Sequence, residues 1–156
     1  MRSVSSWFVA LAMPKSMTTG TGTPSTDASV FHSVDFGAAG GDGDSDLDAL
    51  VGTTTLDATT LTFDFTMPAA NNAVVFQFMF GSEEFPDEGV TDIAAVFVDG
   101  QNALFFPDGD LVRFLLGQNE ASFFDNTSGA LNIAYDGLTA PMFVLAPATG
   151  GSTHTI

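Results

Sequence analysis

The chain contains no cysteine among its 156 residues. Disulfide bonds and thiol chemistry are therefore both excluded, and cysteine usage leaves the redox compartment open. Histidine occurs only as His32 and His154, which leaves few candidates for a histidine-based triad or for a zinc site. Since neither a general base nor a nucleophile stands in a recognisable pattern, the sequence predicts a protein that is not an enzyme.

Basic residues are almost absent. Three Lys and Arg stand against nineteen Asp and Glu, which gives a formal net charge of −16. Nucleic acid is excluded as a partner because phosphate binding requires clustered basic side chains, and anionic membrane surfaces are disfavoured for the same reason. No apolar run has the length of a transmembrane helix, so membrane insertion is not expected. The acidity has two open interpretations, which are binding of a divalent cation and adaptation to high salt or solubility.

The composition is nevertheless that of a folded protein. Only 14% of the residues are charged, 45% are hydrophobic, and sixteen are phenylalanine. An acidic disordered tail would have the opposite balance, so we expect a globular chain with an aromatic-rich core. Its length fits one domain over residues 1–156, large enough to bury about 68–70% of the surface of the unfolded chain.

Strand periodicity dominates the chain. Val74, Phe76, Phe78 and Phe80 recur at every second residue, the period of a strand that buries one face. Residues 93–98 are apolar at odd-numbered and even-numbered positions alike, which is typical of a strand covered on both faces. Further strand candidates are residues 61–67, 103–106, 111–116, 122–124, 130–135, 141–146 and a strand starting at Thr153. Because no stretch shows a capped helical period, we predict an all-β fold, an antiparallel β-sandwich resembling a jelly roll, with little or no helix.

Two acidic stretches are candidates for a cation site. The loop between the two central strands carries Glu83, Glu84, Asp87, Glu88 and Asp92, and no Lys or Arg occurs between Lys15 and Arg113. A hard divalent cation would neutralise such a loop. Asp42, Asp44, Asp46 and Asp48 alternate in a glycine-rich stretch that lacks the closing glutamate of an EF-hand. For this second stretch a solvated turn capped by Asp side chains is the alternative.

We expect the two stretches to lie together and to share one or two calcium ions. The hypothetical ligands are Asp44, Asp46, Asp48, Glu83, Glu84 and Asp92.

Several motifs resemble one known family. F-G-S-E-E-F-P-D (80–87) and T-D-I-A-A-V-F-V-D-G (91–100) look like the choice-of-anchor L domain, a module of secreted and surface-attached microbial proteins. The resemblance continues, in the same order, in S-M-T-T-G (16–20), D-S-D-L-D-A-L-V-G (44–52), T-L-D-A-T-T-L-T-F-D-F (55–65), F-D-N-T (124–127) and L-N-I-A-Y-D-G-L-T (131–139). Phe85 stands where the family usually has Tyr, and Thr91 where it usually has Asn. The resemblance implies an extracellular or cell-surface location.

The N-terminal stretch has two interpretations. Residues 1–13 carry one basic residue and then a short apolar run, which fits either a signal segment or a first strand that leads into the T-T-G turn. Members of the family normally continue beyond a segment like T-H-T-I into a closing strand, so we expect a gap that a strand from a neighbouring copy fills. The proposed donor lies in residues 4–13, with Val4, Trp7, Phe8, Val9 and Leu11 as its apolar side chains. A truncated product or a fragment is the alternative.

These observations predict a non-enzymatic, calcium-stabilised structural or adhesive module outside the cell. Its partners would be copies of itself, joined by strand exchange into a surface filament or array. The alternative is a monomeric, calcium-dependent adhesion or carbohydrate-binding module of a larger surface protein, with a surface glycan or matrix as its ligand.

Overall fold

The computed structural model describes residues 42–56, 58–86, 91–131, 133 and 135–156. Within these residues one α-helix and eleven short strands form, and all of the strand pairs are antiparallel. The elements are α1 (Ser45–Val51), β1 (Asp64–Thr66), β2 (Ala73–Phe78), β3 (Gly81–Ser82), β4 (Ile93–Ala94), β5 (Phe97–Val98), β6 (Gln101–Asn102), β7 (Val112–Arg113), β8 (Phe123–Asp125), β9 (Gly137–Thr139), β10 (Met142–Pro147) and β11 (Thr153–Thr155). The predicted all-β class with little helix is confirmed.

The strands pair across long distances in sequence. β1 pairs with β11, β2 with β10, β4 with β7, and β5 with β6, while β9 lies between β3 and β8. The first described strand therefore pairs with the last, with Phe65 opposite His154. Such a topology brings residues from both ends of the described chain into one neighbourhood, where the candidate site lies.

The longest ladder, β2–β10, confirms the central strand that the alternation predicted. Val74 lies opposite Ala146, and Phe76 lies opposite Val144. Val144 is fully buried, whereas the residues on either side of it in β10 are exposed. One face of this ladder therefore lines the core, as period-2 alternation requires.

The core is aromatic, as the composition predicted. Its main cluster contains Phe85, Phe106, Phe114 and Phe123 together with Leu104, Val112 and Val144. A second cluster is built around Met67, Val74, Val98, Ala146 and Ala148. Phe76 and Ala103 pack against both clusters, so the two clusters are joined through them.

Two glycines allow the 80–87 motif to pack closely against the 131–139 motif. A Cβ atom on Gly81 would lie 2.8 Å from the ring of Tyr135, and one on Gly137 would lie 2.5 Å from Cβ of Phe85. The two motifs pair as β3 and β9, and each presents a glycine to an aromatic residue of the other. Any larger residue at Gly81 or Gly137 would push the partner ring away.

The stretch 93–98, predicted as one strand, forms two. β4 pairs with β7, while β5 turns back through Asp99 and Gly100 to pair with β6. Asp99 has a φ of 50° and Gly100 a φ of 77°, the left-handed conformations that a two-residue hairpin turn requires. The strand divides because its two halves have different partners.

The prediction of a strand over residues 130–135 is wrong, since none of the described residues of that stretch lies in a strand. Their backbone groups bond to one side chain and not to a neighbouring strand. The amide of Asn126 donates to the carbonyl oxygens of Leu131, Ile133 and Tyr135, at 3.3, 3.3 and 2.9 Å. The Oδ1 atom of Asn126 accepts from the backbone N–H of Leu131 at 2.7 Å, so backbone groups of this segment bond to a side chain.

Helix α1 corrects the prediction that no capped helix occurs. Asp44 is its N-cap, and Gly52 ends it with a φ of 74°. The alternating aspartates concealed the helix, because the apolar residues Leu47, Leu50 and Val51 that give it a helical face are few. No helix in the described ranges is long and apolar enough to cross a membrane.

Candidate functional site

The first acidic stretch forms a capped helix, where the sequence predicted either a cation-binding loop or a solvated turn capped by Asp side chains. Oδ1 of Asp44 accepts from the backbone N–H groups of Asp46 and Leu47, at 2.9 and 3.1 Å. Oδ1 of Asp48 accepts from the hydroxyl and the amide of Thr55, at 2.7 and 2.5 Å. These two bonds hold the pKa of Asp48 below its ordinary value, and the bond from the hydroxyl has the larger effect. Both carboxylates thus have structural tasks within their own segment.

The second acidic stretch is described in part, since residues 87–90 fall outside the described residues. Oε2 of Glu84 accepts from the hydroxyl of the buried Ser82 at 2.9 Å. Glu83 is half-buried, and Asp92 immediately precedes β4.

The structure does not bring the six predicted calcium ligands together. Among the described residues, no group of three or more His, Cys, Asp or Glu side chains could hold a metal ion. Calcium binding by Asp44, Asp46, Asp48, Glu83, Glu84 and Asp92 therefore stays a prediction.

The fold supplies one basic residue near the second stretch. Arg113 is the only Lys or Arg in the described residues. The β4–β7 register places it opposite Ile93, which follows Asp92 in the chain. Strand pairing thus places Arg113 on the strand next to the residue that follows the acidic loop.

A surface cleft of about 380 Å³ contains the one described histidine. The lining residues are Asn72, Asp99, Pro147, Ala148, Thr149, Gly150 and His154. They come from the residue before β2, from the end of β10 and the loop after it, from the middle of β11, and from the turn between β5 and β6.

Both ring nitrogens of His154 face acceptors. Nδ1 lies 2.6 Å from Oδ2 of Asp99, and Nε2 lies 3.0 Å from the carbonyl oxygen of Thr149. A ring that donates from both nitrogens is an imidazolium. The bond to Thr149, followed by the one to Asp99, raises the pKa of His154, and the bond from His154 is the main cause that lowers the pKa of Asp99. The two residues form an ion pair that joins the β5–β6 turn to β11.

This ion pair predicts a pH-dependent stability. A raised histidine pKa stabilises the fold fully below the ordinary value of 6.5, and the effect is lost as pH rises through the folded-state pKa. A lowered aspartate pKa stabilises the fold above the ordinary value of 3.8, and that effect is lost as pH falls through the folded-state pKa. We therefore expect the stabilisation by the pair to be greatest between these two ordinary values and to decline in alkali.

The variant Asp99→Asn isolates this effect. Asparagine tolerates the positive φ of residue 99 and keeps an acceptor for the amide of Thr155, which now donates to Oδ1 of Asp99 at 3.0 Å. The difference in melting temperature between wild type and variant is expected to shrink as pH rises, because His154 then loses its proton and the wild type loses the ion pair. The contributions of His32 and of the chain ends are the same in both proteins and cancel in the difference. A difference that stays constant from about pH 5 to about pH 9 would contradict the ion pair.

Sequence reasoning missed this pair. The Asp99–Gly100 dipeptide between two apolar runs is a strong hairpin signal. Nothing along the chain, however, indicates that its carboxylate meets a histidine 55 residues away.

A second surface feature is the outer face of the β2–β10 ladder. It consists of Ala73, Val75 and Gln77 on β2, opposite Pro147, Leu145 and Phe143 on β10. Phe143 is 66% exposed and Leu145 is 64% exposed. Every member except Gln77 is apolar. An uncharged face of this kind on a protein with a net charge of −16 is typical of a surface that contacts another apolar surface.

The predicted donor residues Val4, Trp7, Phe8, Val9 and Leu11 lie outside the described residues. Strand donation by them is therefore neither confirmed nor contradicted.

Comparison with known proteins identifies a family. The family model of the choice-of-anchor L domain matches residues 15–156. No curated protein and no solved structure matches the chain. The family consists of structural domains of surface-associated or secreted proteins. Since the match covers nearly the whole chain, including the paired motifs of β3 and β9, the protein belongs to the choice-of-anchor L domain family and is a surface-associated module.

Proposed function

We propose that the protein is a non-enzymatic structural module outside the cell that assembles with copies of itself by strand exchange. The observation that carries this proposal is the uncharged outer face of β2–β10, which exposes Phe143 and Leu145. A charged surface keeps a monomer soluble, whereas an exposed apolar face is typical of an interaction site. Membership of a family of surface-associated modules supports the extracellular location.

The geometry of the cleft supports a non-enzymatic role. A general base needs a free lone pair that faces the substrate. Both nitrogens of His154 are engaged, and the one that faces away from Asp99 is bonded to a backbone carbonyl. The described residues contain no second histidine, and the chain has no cysteine. The ion pair therefore stabilises the fold and is poorly arranged to transfer protons.

Assembly is tested by sedimentation velocity and electron microscopy of the purified chain over a range of concentrations. We expect the wild type to form a series of oligomers whose size grows with concentration, because head-to-tail contacts that do not close produce filaments. Deletion of residues 1–13 is expected to return the protein to a monomer. Wild-type protein that sediments as a monomer at every concentration would contradict assembly and favour the monomeric adhesion or carbohydrate-binding alternative.

Calcium stabilisation is the second part of the proposal, and an excess of carboxylates over basic residues supports it. We expect the melting temperature at low ionic strength to rise with calcium concentration, because an ion that binds only the folded state stabilises it. Sodium chloride at equal ionic strength is the control. A melting temperature that responds equally to both salts would contradict a specific site and leave general acidity as the explanation.

The variants Asp44→Asn and Asp44→Ala separate helix capping from calcium binding. Asn caps a helix as well as Asp does, whereas Ala costs about 1 kcal/mol. Without calcium we therefore expect Asp44→Asn to be as stable as the wild type and Asp44→Ala to be less stable. If Asp44 is a ligand, the Asn variant also loses part of the response to calcium. An unchanged response would remove Asp44 from the ligand set.

A further inference from the structure

The outer face of β2–β10 extends beyond the six paired residues. Because side chains alternate between the two faces, the next residues on this face are Met79 after β2 and Pro141 before β10. Met79 is 53% exposed. The apolar surface therefore spans about seven residues along each strand, enough to contact an extended segment of similar length.

Within the described part of the chain, β10 lies at the edge of its sheet. In the described residues β10 pairs only with β2. The amide of Ala148 donates to the carbonyl of Asn72 at 3.0 Å, so by the alternation of antiparallel ladders the even-numbered residues of β10 point their backbone groups toward β2. Phe143 and Leu145 then direct their N–H and C=O groups to the other side. Pro141 and Pro147 bracket this edge and donate no hydrogen bond, as is usual for prolines at edges.

The described edge carries two prolines but none of the charged side chains that usually protect an edge against pairing. Edge strands commonly carry charged side chains that prevent association with other chains. Residues 141–147 contain no charged residue, although the chain has nineteen acidic residues. The two prolines limit the length of the edge. The residues between them present apolar side chains together with backbone N–H and C=O groups that can pair with another strand.

The chain itself contains a segment of matching chemistry. Residues 4–13 are uncharged and largely apolar, and they include Trp7, Phe8 and Leu11. Arg2 and Lys15 flank them, and residues 1–26 contain no acidic residue. The rest of the chain carries all nineteen acids and a single arginine. The two flanking basic residues are thus complementary in charge to the remainder of the protein, and the segment between them is complementary in hydrophobicity to the outer face.

A direct contact between two outer faces has less support. It would bring two strongly acidic bodies together, which costs electrostatic free energy. A contact between residues 4–13 of one copy and the outer face of the next copy instead pairs the basic end with the acidic body.

We propose that the outer face and the edge of β10 are the docking surface for residues 4–13 of a neighbouring copy. This inference rests on the proposed function of self-assembly and names the surface that accepts the donor. The contact is heterologous, because each copy presents the donor at one place and the acceptor at another. Phe143 and Leu145 are the central contacts on the acceptor.

Two full-length variants test the proposal by complementation. The donor variant carries Trp7→Asp and Phe8→Asp, and the acceptor variant carries Phe143→Asp and Leu145→Asp. Each variant alone is expected to be monomeric by sedimentation, since each lacks one half of the contact. Mixed in equal amounts, they retain one intact donor and one intact acceptor and are expected to form a 1:1 dimer that does not grow.

The outcomes separate this inference from the proposed function. Wild-type protein that stays monomeric would overturn both. Wild-type assembly together with an acceptor variant that still assembles, or a mixture that forms no dimer, would overturn the docking surface and leave self-assembly standing. Circular dichroism of each variant should match the wild type. If the acceptor variant is unfolded, Phe143→Ser and Leu145→Ser replace its substitutions, and the same outcomes apply.

Cross-linking distinguishes docking on a neighbour from docking within one chain. The protein has no cysteine, so the double variant Val9→Cys and Leu145→Cys contains the only two thiols. After mild oxidation we expect a ladder of covalent oligomers on a non-reducing gel. A cross-linked monomer would overturn the proposal, because it would show that residues 4–13 cover the outer face of their own chain.

Discussion

Replacing Phe114 by alanine is expected to lower the free energy of unfolding by about 3–5 kcal/mol. The side chain is fully buried. Its ring centroid lies 5.3 Å from that of Phe85 and 5.5 Å from that of Phe123, both in tilted or edge-on geometry. Truncation removes both ring contacts and leaves a cavity in a close-packed cluster. Denaturant titration followed by circular dichroism measures the change.

Phe143→Ala is the matched control, because it makes the same chemical change on the 66% exposed residue of the outer face. At concentrations below assembly it is expected to change the free energy of unfolding by no more than about 0.5 kcal/mol. Equal effects of the two substitutions would mean that the aromatic cluster around Phe114 is not the core of the fold.

The substitution Asn126→Asp is expected to destabilise the fold by about 3 kcal/mol or more. Asn126 is 2% exposed, and its amide nitrogen faces three carbonyl oxygens. Aspartate has the same shape but places a carboxylate oxygen against them, so three attractive contacts become repulsive and a charge is buried. The cost should decrease as pH falls, because the protonated side chain can donate again.

Gln118→Glu provides the control for added charge, since Gln118 is exposed. Thermal melts at neutral and acidic pH are the measurement. If the two variants are equally stable at neutral pH, the hydrogen bonds of the Asn126 amide do not stabilise the segment that follows it.

The parts of the fold that were predictable from sequence are those set by local periodicity. β2 and β10 are apolar at every position except Gln77, and both form within about two residues of the predicted ranges. β11 begins at Thr153 as expected. The hydrophobic content and the sixteen phenylalanines indicated the aromatic core, because apolar side chains of this number must be buried in a folded chain of this length.

The parts that were not predictable depend on contacts between distant residues. The position of α1 is fixed by Asp44 and by the bonds of Asp48 to Thr55, while its sequence shows only alternating aspartates. The segment after Asn126 has the apolar alternation of a strand, but a side-chain amide takes the place of a neighbouring strand. The meeting of His154 with Asp99 is a result of topology. Periodicity carries no information about any of these three.

The amide of Asn126 has a consequence for how freely the surface can vary. It holds the segment after it through backbone carbonyls at Leu131, Ile133 and Tyr135, and a carbonyl oxygen is the same whatever side chain accompanies it. Ser128, Ala130 and Leu131 are exposed. Side chains at these three positions can therefore be exchanged while the shape of the loop is kept. A single buried amide thus holds this loop through its backbone at three points, so that its exposed side chains can change without loss of these bonds.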